Sequence, residues 1–234
     1  MFQTFDTTVP LYFRCFRLLW KHFKYCPLAM TFLENSADIY GDDHVVPVCP
    51  SVTRWTAHER ACLTFFKGYS HFLSALSVCY NERKEAEALG LFIQATSLQN
   101  VATIVMLLEV FTNIKPLLLY FQKSQGSVCL SEAQTYVTIT LRNLDVVLET
   151  RNFFTLENFT KMKSVAAEET LNLPPSLRII AQPFIFDEFE NNTFVKFIDA
   201  FKAELNEAFS QIKFWLSFGV FDPRKLLSYL SWHR

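Results

Sequence analysis

The sequence predicts a mainly α-helical protein, an irregular multi-helix bundle with little or no sheet. Apolar residues recur at three- and four-residue spacing after Thr56 and after Asn192, which is the period of an amphipathic helix. Almost every position from 101 to 111 is apolar, as expected of a helix that its neighbours cover on most sides. Ahead of residue 53 no alternation of apolar and polar residues indicates strands.

Composition agrees with a globular protein that has a large core. The chain has 234 residues, of which 50% are apolar and 19% charged, so one large core or two small ones can form. Its 25 Phe indicate either a thick helical core or an aromatic surface left bare for a partner. A net charge of -1 excludes attraction of the whole protein to nucleic acid, so any such contact requires a local patch.

Cysteine spacing and hydropathy indicate the cellular compartment in which the protein is expected. The six cysteines show no CxxC and no paired Cys/His spacing, and no signal-peptide core begins the chain. We therefore expect reduced intracellular thiols and predict no metal and no cofactor. The longest nearly uncharged apolar run, 101–111, is far shorter than the ~18 to 20 residues of a membrane span. The expectation is a soluble protein without membrane contact.

Residues 1–52 are predicted to hold the N-terminal helices and a proline-containing loop. The first helix is expected over 7–23, with Pro10 tolerated in its opening turn, and a second short piece over 27–33. Residues 40–52 are predicted to form a loop because Gly and Pro punctuate them. Two Asp and a His there lack the further ligands that a metal site needs.

Four cations of the first helix fall on one stripe. At about 100° per residue they lie within roughly a quarter of the helix circumference. Two interpretations are open: a solvated face opposite the core, or a face that contacts phosphates. The four residues are Arg14, Arg17, Lys21 and Lys24.

Residues 53–167 are predicted to form the central helical bundle, which starts with the strongest helix-start signal. Thr56 and Glu59 have the spacing of a capping box, so a helix is expected from near Ala57 to about residue 80. Arg54 and Trp55 would then lie just outside the first turn, beside the positive end of the helix dipole. An anion can bind at such a position.

The bundle continues with a turn or a frayed helix end over 81–87 and a central helix over 86–122. Pro116 predicts a kink or break near 113–115, and Gly126 is expected to close this element. Ser131 is predicted to cap the next helix. The core-facing stripe of that helix is Tyr136 or Val137, Leu141, Leu144 and Leu148.

The C-terminal part is predicted to be a connection over 168–192 followed by amphipathic helices over 193–234 that pack back on the bundle. Pro174, Pro175 and Pro183 exclude a continuous helix in the connection. Asn192 is the expected cap of the following helix, and a final short helix is predicted over 223–230. The core face of the helix that Asn192 caps is predicted to be Phe194, Phe197, Ile198, Phe201, Leu205, Ala208, Ile212 and Trp215.

Thr53, Arg54 and Trp55 form a T-R-W element directly ahead of the predicted long helix. This element and two further short motifs resemble the hAT superfamily of DNA transposases, in which a T-R-W element precedes a long helix. The run 91–122 is similar to the helical insertion domain of these ribonuclease H-like enzymes, and 221–224 is similar to a short element after the insertion. The resemblance implies that the bundle corresponds to this insertion domain and that the protein acts in the nucleus.

The resemblance does not supply a nuclease centre. The family cuts DNA with two Asp and one Glu that hold two divalent ions, and these carboxylates must converge from separate elements. No residue of this sequence matches them, and neither the Cys-x-x-His element nor the zinc finger of the family is found. We therefore predict no enzyme activity and no catalytic residue.

The implied function is recognition of DNA. The Trp that corresponds to Trp55 is thought to stack on a base exposed in a hairpin end, and Arg54 at a helix N-terminus suits a phosphate. The alternative is that Trp55 anchors the core and Arg54 pairs with a carboxylate such as Glu59. His58 and Cys62, one turn apart, resemble a dyad or half a metal site, although a small apolar thiol beside a His is the commoner arrangement.

The sequence thus predicts an inactive hAT-derived nuclear protein, domesticated or fragmentary. It would bind hairpin or single-stranded DNA ends, or use Phe-rich faces for a protein partner or self-association. The alternatives are a helical scaffold without nucleic-acid contact, or a fragment of a longer active transposase.

Overall fold

A computed structural model of the chain describes residues 10–40, 43–50, 55–123, 129–150, 153–178 and 184–210. Helices dominate these residues, and none of them lies in a strand, which confirms the mainly helical class. In chain order the helices are α1 (Pro10–Tyr25), α2 (Pro27–Tyr40), α3 (Trp55–Lys67), α4 (Tyr69–Arg83), α5 (Ala86–Thr96), α6 (Leu98–Lys123), α7 (Leu130–Thr150), α8 (Phe153–Thr170), α9 (Phe186–Phe189) and α10 (Val195–Ala208).

Helix α6 is the centre of the bundle. It contacts α1, α3, α5, α7 and α8, and every residue from 101 to 111 is buried, including Thr103 and Glu109. The hydroxyl of Thr103 donates to the Gln99 carbonyl at 2.8 Å, so this buried polar group is paired within the helix. The prediction that neighbours cover this segment on most sides is confirmed.

Around α6 the other helices form one continuous core. Helix α4 packs on α2, α5 and α8, while α10 packs on α7. Buried residues from Phe16 in α1 to Leu205 in α10 belong to a single hydrophobic cluster. The described Phe side chains are mostly buried or partly buried, and among them Phe121, at 36% exposure, is the one classed as exposed.

The predicted helix after Thr56 is corrected in two places. It begins at Trp55, so Thr56 lies inside the first turn and is not the cap. It also ends at Lys67, and α4 starts after Gly68. A Cβ on Gly68 would lie 2.9 Å from the Phe72 ring and 2.9 Å from Val45 Cγ1, so the chain needs glycine where the 43–50 loop crosses this junction.

The predicted central helix is also two helices. Residues 86–96 and 98–123 are separated at Ser97, whereas α6 continues without a break through Pro116. Pro116 and Thr112 are both exposed. Water can therefore satisfy the Thr112 carbonyl that loses its intrahelical partner, and the helix tolerates the ring.

Several boundaries differ from the sequence prediction. Helix α2 extends to Tyr40, well beyond the short piece expected, and α8 was not delineated from the sequence. Helix α7 begins at Leu130, so Ser131 lies inside its first turn. Val137 and Leu144 of its predicted stripe are buried, as expected.

The segment before α10 is more helical than predicted. Helix α9 passes into a π-helical turn, Glu190–Phe194, which continues as α10. Asn192 therefore lies inside this turn and is not a cap. The predicted core face holds from Phe194 to Leu205, whereas Ala208 is exposed. The core-face residues Ile212 and Trp215, the short helix predicted over 223–230, and Gly126 all lie outside the described residues.

One described helix is long and apolar enough to cross a membrane by length and composition. It is α6, over Leu98–Gln122, and 72% of its apolar window is buried inside the bundle. The apolar run 101–111, from which no span was expected, is only part of this longer helix. A buried core helix meets the same criteria, so the finding is weak evidence for a span.

Candidate nucleic-acid interface

The basic face of α1, defined by Arg14, Arg17, Lys21 and Lys24, is exposed along its length. The opposite side of α1 carries Cys15, Phe16, Leu19 and Phe23, which are all buried. At about 100° per residue these two sets lie on opposite sides of the helix.

No acidic residue occurs in α1. Among the ion pairs between described residues, none uses a cation of this face. The local charge of the basic face therefore remains uncompensated by α1 itself, although the whole chain carries a net charge of -1.

Two aromatic side chains border the basic face of α1. The rings of Trp20 and Tyr25 meet edge to face with centroids 6.1 Å apart, and Tyr25 is 65% exposed. The Lys24 ammonium lies 4.5 Å from the Trp20 ring centroid and 5.5 Å from that of Tyr25. Aromatic faces beside cations are the usual components of a site for single-stranded nucleic acid.

The fold brings the start of α3 next to this face. Phe16 and Phe65 pack with ring centroids 5.1 Å apart, which joins α1 to α3. Burial, and after it the positive charge of Arg17, lowers the pKa of His58. His58 lies in the first turn of α3, so Arg17 and the start of this helix are neighbours.

The residues predicted at the helix start are only partly described. Trp55 is the first residue of α3. Its side chain and the whole of Arg54 lie outside the described residues. Glu59, which the sequence assigned to a capping box, instead accepts from Lys115 Nζ at 2.7 Å. This ion pair joins α3 to α6.

The other candidates from the sequence do not form reactive sites. Cys62 is fully buried, and burial raises the pKa of its thiol, as expected of a small core residue. In the 43–50 loop, His44 Nε2 lies 3.4 Å from Asp38 Oδ1, and both side chains are more than half exposed.

Sequence reasoning missed a cluster formed by His22, Cys79 and Glu85. One ligand atom from each residue lies within 4.8 Å of the other two. Motif spacing could not find this group because its members come from α1, α4 and the residue before α5, which only the tertiary fold brings together.

Comparison with protein-family models, with curated proteins and with solved structures finds no match for this chain. The hAT resemblance therefore rests on the three short motifs of the sequence. The candidate surface on α1 is supported by its exposed cations and the aromatic contacts beside them.

Proposed function

We propose that this chain is a non-catalytic nucleic-acid-binding module of hAT origin that acts in the nucleus. The basic face of α1 would contact phosphates, and aromatic side chains would stack on the unpaired bases of hairpin or single-stranded DNA. The observation that carries the proposal is the row of four exposed cations with Trp20 and Tyr25 at its border.

Charge and shape support a single strand as the ligand. A phosphate backbone repeats its charge along one line, as the basic face does along α1, and each cation that contacts a phosphate releases a condensed counterion. Exposed aromatic side chains add about 1–3 kcal/mol per stacked base without reading sequence. Arg54 and Trp55 would extend the surface, since Arg17 lies close to the start of α3.

The first test measures DNA affinity as a function of salt concentration. A variant with Arg14, Arg17, Lys21 and Lys24 all changed to Gln should bind a DNA hairpin more weakly. The slope of log affinity against log salt should fall by about 3, at roughly 0.7 per lost phosphate contact on a single strand. The matched control changes two exposed lysines elsewhere, Lys67→Gln with Lys163→Gln, and should keep the wild-type slope.

The second test concerns stacking by Trp55 at the start of α3 and by Tyr25 at the border of the basic face. Trp55→Ala and Tyr25→Ala should each weaken binding to an unpaired loop by about 5- to 150-fold if they stack on a base. Binding to a blunt duplex should change little. Equal, weak affinity of all variants and wild type contradicts DNA recognition and favours the protein scaffold.

Metal-dependent nicking of a plasmid would contradict the non-catalytic assignment.

A further inference from the structure

The cluster of His22, Cys79 and Glu85 joins three helices. His22 lies in the last turn of α1, Cys79 near the end of α4, and Glu85 at the N-cap position of α5. His22 and Cys79 are buried, with 6% and 1% of their surface exposed, and the Glu85 side chain is 24% exposed. One imidazole nitrogen, one sulfur and one carboxylate oxygen thus converge in a largely closed space.

One ring nitrogen of His22 lacks a partner in this space. The Nε2 atom is buried and has no hydrogen-bond partner among the residues that the structure describes. A buried polar atom without a partner destabilises the folded state, so a ligand that accepts its lone pair would stabilise the fold. The neighbouring Phe23 ring packs edge-on at 5.4 Å between centroids and restricts the imidazole.

The donor types select the kind of ion. Imidazole and thiolate are preferred ligands of Zn²⁺, whereas Mg²⁺ and Ca²⁺ prefer oxygen ligands alone. Cys26 is a candidate fourth ligand, because it is partly buried and its N–H donates to the His22 carbonyl at 3.0 Å, which places it one helical turn beyond His22. Its spacing from His22 places both on the same side of a helical turn.

The cluster must contract slightly to hold an ion. Zinc bonds of about 2.0–2.3 Å in tetrahedral geometry place ligand atoms roughly 3.5 Å apart, whereas the three ligand atoms here lie within 4.8 Å of one another. Glu85 is the most exposed member and now lies 3.4 Å from Arg83. Between them Lys84 has a φ of 56°, and its N–H donates to the Tyr80 carbonyl, which turns the chain sharply at Glu85.

We propose that His22, Cys79 and Glu85, with Cys26, bind one Zn²⁺ ion that fastens α1 to the α4–α5 junction. The proposal is independent of nucleic-acid binding, because its ligands lie away from the exposed side of α1. The ion would complete the coordination of a buried imidazole and neutralise the negative charge of a thiolate and a carboxylate. Binding releases the thiol proton, because the thiolate is the form of cysteine that coordinates the ion.

The test uses the full-length chain, purified under reducing conditions and freed of metal by a chelator. Zinc binding is measured by competition with a chromogenic chelator, and Co²⁺ is added separately to observe the thiolate-to-cobalt charge-transfer band. We expect one ion per chain, a charge-transfer band, and a melting temperature that rises with zinc concentration.

Variants distinguish ligands from neighbours. Cys79→Ser should abolish the charge-transfer contribution of that thiolate, and Glu85→Gln, at a partly exposed position that should not disturb folding, should weaken zinc binding at least tenfold. Cys62→Ser and Glu87→Gln are the matched controls, a buried thiol and an acid beside the cluster, and both should bind like wild type. Absence of stoichiometric binding in the folded wild type, or unchanged affinity in Glu85→Gln together with an unchanged band in Cys79→Ser, would overturn the proposal.

Discussion

At the scale of single residues, a buried tyrosine joins two helices that are separated by a tight turn. The Tyr69 hydroxyl at the start of α4 donates to the Ala95 carbonyl in the last turn of α5, at 2.9 Å. Carbonyl groups in a last helical turn lack an intrahelical partner. Tyr69 supplies one where water has little access, and burial raises the pKa of its hydroxyl.

Removal of this hydroxyl should destabilise the fold. Tyr69→Phe would leave the Ala95 carbonyl buried without its partner, so we expect the free energy of unfolding to fall by about 1–3 kcal/mol. Urea denaturation measures the change. Tyr80→Phe is the control, since Tyr80 is partly exposed, and should change stability by less than about 0.5 kcal/mol. An equal loss in both variants would show that the hydrogen bond is not the cause.

Ion pairs between helices contribute less than this buried hydrogen bond. Lys115 with Glu59 and Lys202 with Asp145 each join two helices, and one partner in each pair is about half exposed. Solvent screening holds such pairs to roughly 0–1 kcal/mol. Such ion pairs favour particular helices as neighbours but add little to the stability of the bundle.

At the scale of elements, the α3–α4 junction is determined by space. Backbone hydrogen bonds continue from α3 into α4 across Gly68. Its N–H donates to the Thr64 carbonyl, and its carbonyl accepts from the Phe72 N–H. What distinguishes Gly68 is the missing Cβ, which makes room for Val45 and the Phe72 ring.

Two glycine substitutions therefore have opposite expected effects. Gly68→Ala should lower the free energy of unfolding by about 1–3 kcal/mol, because Phe72 is fully buried and cannot yield freely. Gly90→Ala in α5 should raise it by about 0.5–1 kcal/mol, since nothing lies within 4 Å of the added Cβ and alanine favours a helix. Thermal unfolding followed by circular dichroism measures both. A stabilising Gly68→Ala would contradict the packing argument.

At the scale of the whole molecule, one core connects the first described helix to the last. The hydrophobic cluster that contains Phe16 also contains Phe201 and Leu205 of α10, and α10 packs against α7. A continuous core favours cooperative unfolding of all helices together.

We expect a single unfolding transition that a substitution in α10 shifts as a whole. Phe201→Ala, at a position with 3% exposure, should cost about 3–5 kcal/mol. Intrinsic fluorescence and far-UV circular dichroism should still give coincident curves. Asp199→Ala, exposed on the same helix, should change stability by less than about 0.5 kcal/mol. Separate transitions would instead show that α10 unfolds independently of the bundle.

The sequence by itself determined the helical class, the buried segment 101–111 and the polarity of the α1 and α10 faces. These follow from hydrophobic periodicity, which each helix carries locally. It also identified the basic face of α1 from the spacing of four cations, and the structure exposes all four side chains.

Only the tertiary structure decided the breaks at Gly68 and Ser97, the passage of α6 through Pro116, and the partner of Glu59. A glycine or proline is tolerated or breaks a helix according to what surrounds it, and the surroundings come from other elements. The convergence of His22, Cys79 and Glu85 has the same origin. Residues distant along the chain become neighbours only when burial of the common core brings their helices together.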